Sequence, residues 1–403
     1  MALPPAAATP SPPTASDLEA QLVALVARVM HIQSVAWGGP DDQVRARFVG
    51  RIVGDTARAF DRLWTATAAW NLTPLFRAGP HGEHVVLLVQ GRIQPQPSRA
   101  WVNLALFLAT LLSVLWTGFW AHNAGHDWRA ALGQSLAFAA SLLAILLAHE
   151  FGHYFMARRR GMAVSLPYFL PLPAPLSPFG TLGAFIRLKE PPRNRRVLLD
   201  VGLAGPIAGL MVALPLLFLG LKLSDLDALP TPQPGMALMI EGNSLLYLAA
   251  KYAVFGRFLP APVQGWDWAT AVRFFFTGRP VPWGGVDVLL HPVAFSAWVG
   301  LLVTALNLLP VGQLDGGHVL FALLGYRARR LFPWLVGLIA VLGVFWKGWW
   351  LWTVLILWLG RSYAEPLDML TPLDPARRRW AWLGLLLWLL TFTPIPLQLL
   401  MVR

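Results

Sequence analysis

The stretch Leu146-Leu147-Ala148-His149-Glu150-Phe151-Gly152-His153 decides how the rest of the chain is read. It lies within an apolar run from Ala131 to Met156, long enough to cross the hydrocarbon of a bilayer as a helix. Helical residues four apart share a face, so the imidazoles of His149 and His153 project one turn apart, the bite a tetrahedral zinc ion accepts. Glu150, directly after the first histidine, is placed to take a proton from an attacking water as general base. Ionisable side chains are costly inside an apolar span, which makes this group a functional site by default.

The composition around it is that of a membrane protein. Of the 403 residues, 56% are hydrophobic and 13% charged, and the mean hydropathy is +0.55, whereas soluble domains are about a quarter charged. The chain has no cysteine, which excludes disulfides, thiolate nucleophiles and cysteine-ligated metals and leaves His, Asp and Glu as ligands. The excess of 32 Lys and Arg over 20 Asp and Glu, a net +12, would suggest nucleic acid in a soluble protein. In a membrane protein it marks the cytoplasmic flanks of the spans, and no nucleic-acid partner is expected.

The pattern predicts a polytopic α-helical membrane protein of about six to seven spans, preceded by a small α/β unit. Residues 1–16, rich in Pro and Ala, are expected to be disordered. Residues 17–98 form the N-terminal unit, with an amphipathic helix from Asp17 to Val35. After it come a strand at Phe48 to Val53, a helix from Asp55 to Trp70 capped by Asp55, and strands at Leu72 to Phe76 and Val85 to Val89. Residues 99–403 form the membrane domain. Its spans are Trp101 to Trp120, Ala131 to Met156, Val197 to Leu221, His291 to Leu309 and Trp380 to Leu400, with Leu331 to Leu359 read as a hairpin broken at Lys347-Gly348. Arg158, Arg159, Arg160, Arg193, Arg195 and Arg196 put the segment between the second and third spans in the cytoplasm, and the N-terminal unit with it. The 222–287 region then falls outside and lacks the succession of strands a PDZ insertion would need. The expected location is a bacterial cytoplasmic membrane, with the N-terminus and the site facing the cytoplasm.

A catalytic zinc site needs a third protein ligand. The acids near membrane depth are Asp200, Asp287, Asp315 and Glu241. Asp315 is favoured because it sits in Asn307-Leu-Leu-Pro310-Val-Gly-Gln-Leu-Asp315-Gly316-Gly317-His318, on the same membrane face as His153. Pro310, Gly312, Gly316 and Gly317 break the helix there, and irregular backbone at this depth is tolerated where it lines a wet cavity. Asp200, beside Arg195 and Arg196, is explained by a helix cap or an ion pair. Asn307 could offer its amide to a developing oxyanion or satisfy backbone groups freed by Pro310. His318 reads as a support to the ligands or as an interface histidine. His81 and His84 read as turn residues, and His122, His126 and Asp127 as solvated on the opposite face.

Together, His149-Glu150-Phe151-Gly152-His153 and the later Asn307, Pro310 and Leu314-Asp315-Gly316-Gly317 resemble the site-2 proteases, which are intramembrane zinc metalloproteases. Gly180 to Ile186, the form of the second motif and the unit before the first span resemble the branch of cyanobacteria and chloroplasts, which has no PDZ domain. The resemblance implies one Zn2+ per chain on His149, His153 and Asp315, with Glu150 as base and proton shuttle, in a three-span catalytic core. It implies a transmembrane protein as substrate, entering from the lipid bilayer. It also implies that the chain after the first motif forms a sheet or re-entrant loop beside the site. Five prolines between Pro167 and Pro178 forbid a regular helix there, and Gly180 to Leu188 reads as an edge strand able to pair with an unwound substrate, or as a proline-rich loop without substrate contact. Two other functions fit parts of the pattern: a catalytically silent relative that binds membrane proteins, and a metal or ion transporter using the same ligands.

Overall fold

The computed structural model describes residues 15–39, 42–123, 127–235 and 237–401. The expected disordered tail falls outside them except for Ala15 and Ser16, which open the first helix, and His126 also lies outside. The chain divides into two units, one running to Gln94 and taking in Pro366–Pro372, the other Pro95–Glu365 with Leu373–Arg403.

In the first unit, α1 (Ala15–Ala27) leads into β1 (Met30–Trp37) and β2 (Val44–Ile52). They are followed by α2 (Thr56–Ala66), β3 (Leu72–Ala78) and β4 (His84–Gln90). The antiparallel sheet has the order β1-β2-β4-β3. The helix expected to reach Val35 therefore stops at Ala27, and residues 30–37 form a strand the sequence reading missed. A register shift between Ile32 and Ser34 explains this: the inward side chains fall at Met30, Ile32, Val35 and Trp37, so the period of two is broken in mid-strand. Asp55 caps α2 by accepting from the Arg58 amide at 2.9 Å.

The stretch 366–372, assigned from the sequence to the membrane domain, belongs to this unit. Beyond the β3 edge, the Phe76 amide donates to the Leu367 carbonyl at 2.9 Å and the Met369 amide to the Phe76 carbonyl at 3.1 Å. Leu367 joins a core that includes Phe48, Phe60 and Phe76. The buried Asp368 carboxylate accepts from the amides of Leu370 and Thr371 and from the Thr371 hydroxyl. Burial holds its pKa above the ordinary carboxylate value.

In the second unit, α3 (Ala100–His122) and α4 (Trp128–Arg159) precede a hairpin of β5 (Tyr168–Pro171) and β6 (Thr181–Phe185). Then come α5 (Arg195–Lys222), β7 (Asp225–Ala228), β8 (Ala237–Glu241), α6 (Leu245–Phe255), α7 (Trp268–Thr277) and β9 (Val286–Leu289). The chain continues through α8 (Pro292–Asn307), α9 (Asp315–Leu324), α10 (Ala328–Phe345), α11 (Gly348–Leu359), α12 (Pro375–Thr391) and β10 (Leu397–Met401). Among the described residues, four helical stretches are long and apolar enough to cross a membrane: α3, α4, α5 and Asp315–Phe345, which joins α9 to α10. Helix α8, expected as a full span, is a shorter apolar helix, buried along most of its length. The expected hairpin is the pair α10 and α11, separated at Trp346-Lys347.

The last span, expected to reach Leu400, ends as a helix at Thr391. Pro394 and Pro396 cannot continue it, and the chain turns into β10, antiparallel to β8. Helices α4, α5 and α8 surround the core around Leu142, Leu146, Leu210, Leu217 and Trp298. Trp101, Leu104, Leu108, Leu112, Trp116 and Trp120 form an exposed apolar stripe down α3, a surface suited to hydrocarbon rather than water.

The opposite face of α3 is polar and holds the irregular segment after α4. Asn103 donates to the carbonyls of Leu166 and Pro167, each at 2.9 Å. Ser113 donates to the Gly180 carbonyl at 2.6 Å, and the Ala174 amide donates to the Thr117 hydroxyl at 2.9 Å. Backbone that cannot bond within a helix is thereby satisfied by a neighbouring one.

Candidate metal centre

His149, Glu150 and His153 lie on the inner face of α4, exposed by only 3%, 3% and 6%. Asp315, the first residue of α9, brings its carboxylate against both imidazoles. Its Oδ2 is 3.3 Å from His149 Nε2 and 3.2 Å from His153 Nε2, and the two Nε2 atoms are 3.2 Å apart. Zinc bonds of 2.0–2.1 Å in tetrahedral geometry put neighbouring ligand atoms about 3.3 Å apart. The triangle is therefore the size of one face of a zinc tetrahedron.

The protonation pattern points the same way. His153 Nδ1 lies 2.7 Å from the Val201 carbonyl, which can only accept, so Nδ1 donates there and Nε2 is the nitrogen turned toward Asp315 and His149. Two imidazole nitrogens and a carboxylate oxygen turned on one point are the donor set a zinc ion takes. Among the described residues, Glu150 Oε2 is buried without a hydrogen-bond partner. Glu150 lines a cavity of about 180 Å³ together with His149, His153, Asn307 and Asp315. These features fit a resident zinc ion.

Local sequence explains how the pieces meet. Gly205 of α5 lies so close to His153 that a Cβ there would come 2.0 Å from Nε2, and one at Gly209 would come 3.2 Å from His149 Nδ1. At Gly202 it would meet His318 Cβ at 2.9 Å. These glycines, spaced along one face of an apolar helix, admit the imidazoles, and the sequence reading had not singled them out. Their signal was the small-residue spacing Gly202, Gly205, Gly209. The double glycine has a similar role. A Cβ on Gly316 would strike the Leu308 carbonyl at 1.8 Å and one on Gly317 the Gly312 carbonyl at 2.3 Å, so the start of α9 folds tightly onto the turn after α8. Gly312 itself has φ +56°, a left-handed conformation that favours glycine.

Asn307, the last residue of α8, has its side-chain Nδ2 3.2 Å from His149 Nε2. His318 lines the same cavity, its Nδ1 3.2 Å from the Leu314 carbonyl. The other candidate acids lie elsewhere. Asp200 pairs with Arg160 and with Arg377, at 2.9 Å to Arg377 Nε. Glu241 and Asp287 each lie 3.8 Å from Lys251 Nζ. His84 Nδ1 accepts from the Ile52 amide at 3.1 Å, and His122 Nδ1 is 2.7 Å from the Gly118 carbonyl.

A helix-borne HExxH joined by an aspartate from a separate helix, among long apolar helices, defines a class of membrane-embedded proteins with a buried metal-type site. The chain belongs to peptidase family M50, whose sequence model matches residues 137–344. It is similar to the "probable zinc metalloprotease EGY2, chloroplastic" of Oryza sativa subsp. indica, 32% identical over 227 residues, 56% of this chain and 36% of the rice protein. It is also similar to the "probable zinc metalloprotease EGY1, chloroplastic" of Arabidopsis thaliana, 30% identical over 199 residues, 49% of this chain and 31% of the plant protein. The chain thus spans about a third of the length of these curated relatives. No solved structure matches it.

Proposed function

We propose that this protein is an intramembrane zinc metalloendopeptidase that cuts transmembrane segments of other membrane proteins. The observation that carries the reading is the triangle of His149, His153 and Asp315 atoms at zinc-ligand spacing, with the unpartnered Glu150 carboxylate oxygen on the same cavity. Family membership and the names of the relatives support it.

His149 Nε2, His153 Nε2 and Asp315 Oδ2 would hold the Zn2+. When bound, zinc supplies Lewis acidity toward water and a peptide carbonyl. Glu150 Oε2 takes the proton of the attacking water and delivers it to the departing amide nitrogen. The Asn307 amide offers a hydrogen bond to the carbonyl oxygen as charge develops on it. Strand β6, whose residues Ala184 and Phe185 line the cavity with the following Ile186, has β5 on one side and no strand paired on the other among the described residues. An unwound substrate can add there as a further strand, in the extended form a protease requires.

The site lies at the arginine-rich end of the helices, where Arg160 and Arg377 both pair with Asp200. That end is the cytoplasmic one in a bacterial membrane and its counterpart in an organelle. The hairpin α10–α11 brings the proposed count to six to seven spans. The test is zinc-dependent release of fragments from a co-expressed transmembrane protein. Wild type should release them and Glu150→Gln should not; equal release by the two would remove the reading.

A further inference from the structure

A second cavity, of about 360 Å³, lies next to the metal cavity and differs from it in chemistry. It is large enough to enclose organic groups, since such pockets begin at about 300 Å³. Its walls are apolar, with Leu142, Leu146, Leu302, Val303 and Trp346 among them. Two of the polar side chains on it are bonded to backbone carbonyls. Thr181 donates to the Leu170 carbonyl at 2.8 Å, and Trp346 Nε1 donates to the Leu397 carbonyl at 2.6 Å.

Three elements, α4, α8 and β6, contribute to both cavities. On α4, Leu142 and Leu146 face the apolar hollow while His149 and Glu150 face the metal cavity. On α8, Leu302 and Leu306 face the first and Asn307 the second. Strand β6 runs from Thr181, Leu182 and Gly183 at the hollow to Ala184 and Phe185 at the metal cavity. The hollow therefore neighbours the reacting centre along the edge where a substrate strand would pair, with Gly183 on one and Ala184 on the other.

We propose that this hollow is the specificity subsite of the protease: it receives a large apolar side chain of the substrate, from the part still inside the membrane. The inference rests on the reading of the metal centre as a protease site. Along α4, Leu146 and Leu142 of the hollow precede His149 by three and seven residues, about 5–10 Å at 1.5 Å per residue. An extended chain covers that distance in about two or three residues at roughly 3.3 Å each. The side chain recognised lies that far from the cut bond, on one side of it only. A lipid chain would also suit an apolar wall, but β6 leads from the hollow to the metal, which gives the place to substrate.

Two experiments test the assignment. In the first, full-length zinc-loaded protein in detergent digests a peptide library of mixed sequence, and mass spectrometry maps the cuts. Val303, half-buried on the wall, is replaced in opposite directions. Val303→Phe should shift the preference at one position, two or three residues from the cut, toward small residues by about tenfold, and Val303→Ala toward larger ones. Profiles unchanged in both variants, or shifted the same way, overturn the proposal; unchanged profiles with altered co-purified lipid assign the hollow to lipid. If wild type yields no fragment that Glu150→Gln lacks, the protease reading fails and the subsite with it.

The second experiment needs no turnover. Because the chain has no cysteine, Val303→Cys with Glu150→Gln carries one thiol, offered to synthetic leucine-rich transmembrane peptides scanned with single cysteines. Disulfide formation confined to one or two adjacent peptide positions is expected, whereas Val341→Cys, at a position 58% exposed on α10, should cross-link without register. The same unregistered pattern from Val303→Cys would overturn the subsite while leaving the protease reading intact.

Discussion

The helical unit buries two groups of ionisable side chains, and they are built in opposite ways. At the metal centre, His149, His153 and Asp315 bring their ligand atoms within 3.2–3.3 Å of one another. Among the described residues, the only ion pairs of Asp315 are with the two histidines. At the other group, Glu241 and Asp287 each lie 3.8 Å from the fully buried Nζ of Lys251. That ammonium also stands 4.4 Å from the centre of the Tyr247 ring, and the Tyr247 hydroxyl donates to Glu241 at 3.1 Å. A buried carboxylate needs a positive partner. Where the fold supplies a lysine, the charge is met within the protein; where it supplies only histidines and clears space with glycines, the partner we propose is a metal ion.

The contrast can be broken at either group. The largest effect is expected at Glu150: Glu150→Gln should keep the bound zinc and lose cleavage by about 10²–10⁴-fold, followed through fragment release. Lys251→Met leaves two buried carboxylates without their cation and should destabilise the protein by about 3–5 kcal/mol. Thermal unfolding in detergent reads that loss, while the zinc content of the folded fraction stays at the wild-type value. Ser113→Ala removes the hydrogen bond to Gly180 and should cost about 1 kcal/mol. Cleavage should fall more than that stability loss accounts for, because Gly180 leads directly into β6.

The gentlest probe is pH. Burial, and then the neighbouring Asp287 carboxylate, raise the Glu241 pKa to about 7. A carboxyl group whose folded pKa lies above its unfolded one binds more protons when folded, so its contribution to stability falls as pH rises from about 4.5 to about 7. The unfolding temperature of Glu241→Gln should show a flatter dependence over that window than wild type, and parallel curves would contradict the assignment.

Features encoded within a few residues were legible in the sequence. HExxH places two imidazoles on one helical face by spacing alone, and Asp315 was singled out by the helix-breaking residues around it. Three kinds of feature were hidden. Strand β1 was masked by a bulge that broke its alternation, and the helical end of α12 by an apolar run that continues through Pro394 and Pro396. The 366–372 segment and the Lys251 group depend on partners distant in the chain, and no local pattern announces them. The glycines of α5 and the polar face of α3 were present as spacing, but their meaning depends on what packs against them: the histidines in one case, the carbonyls of Leu166, Pro167 and Gly180 in the other.

Zinc content per chain, measured on purified folded protein, tests the central claim most directly. The account predicts one zinc in wild type and in Glu150→Gln, and loss of that zinc in His149→Ala, His153→Ala and Asp315→Ala. Full zinc content retained in Asp315→Ala, or in both histidine variants, would contradict it.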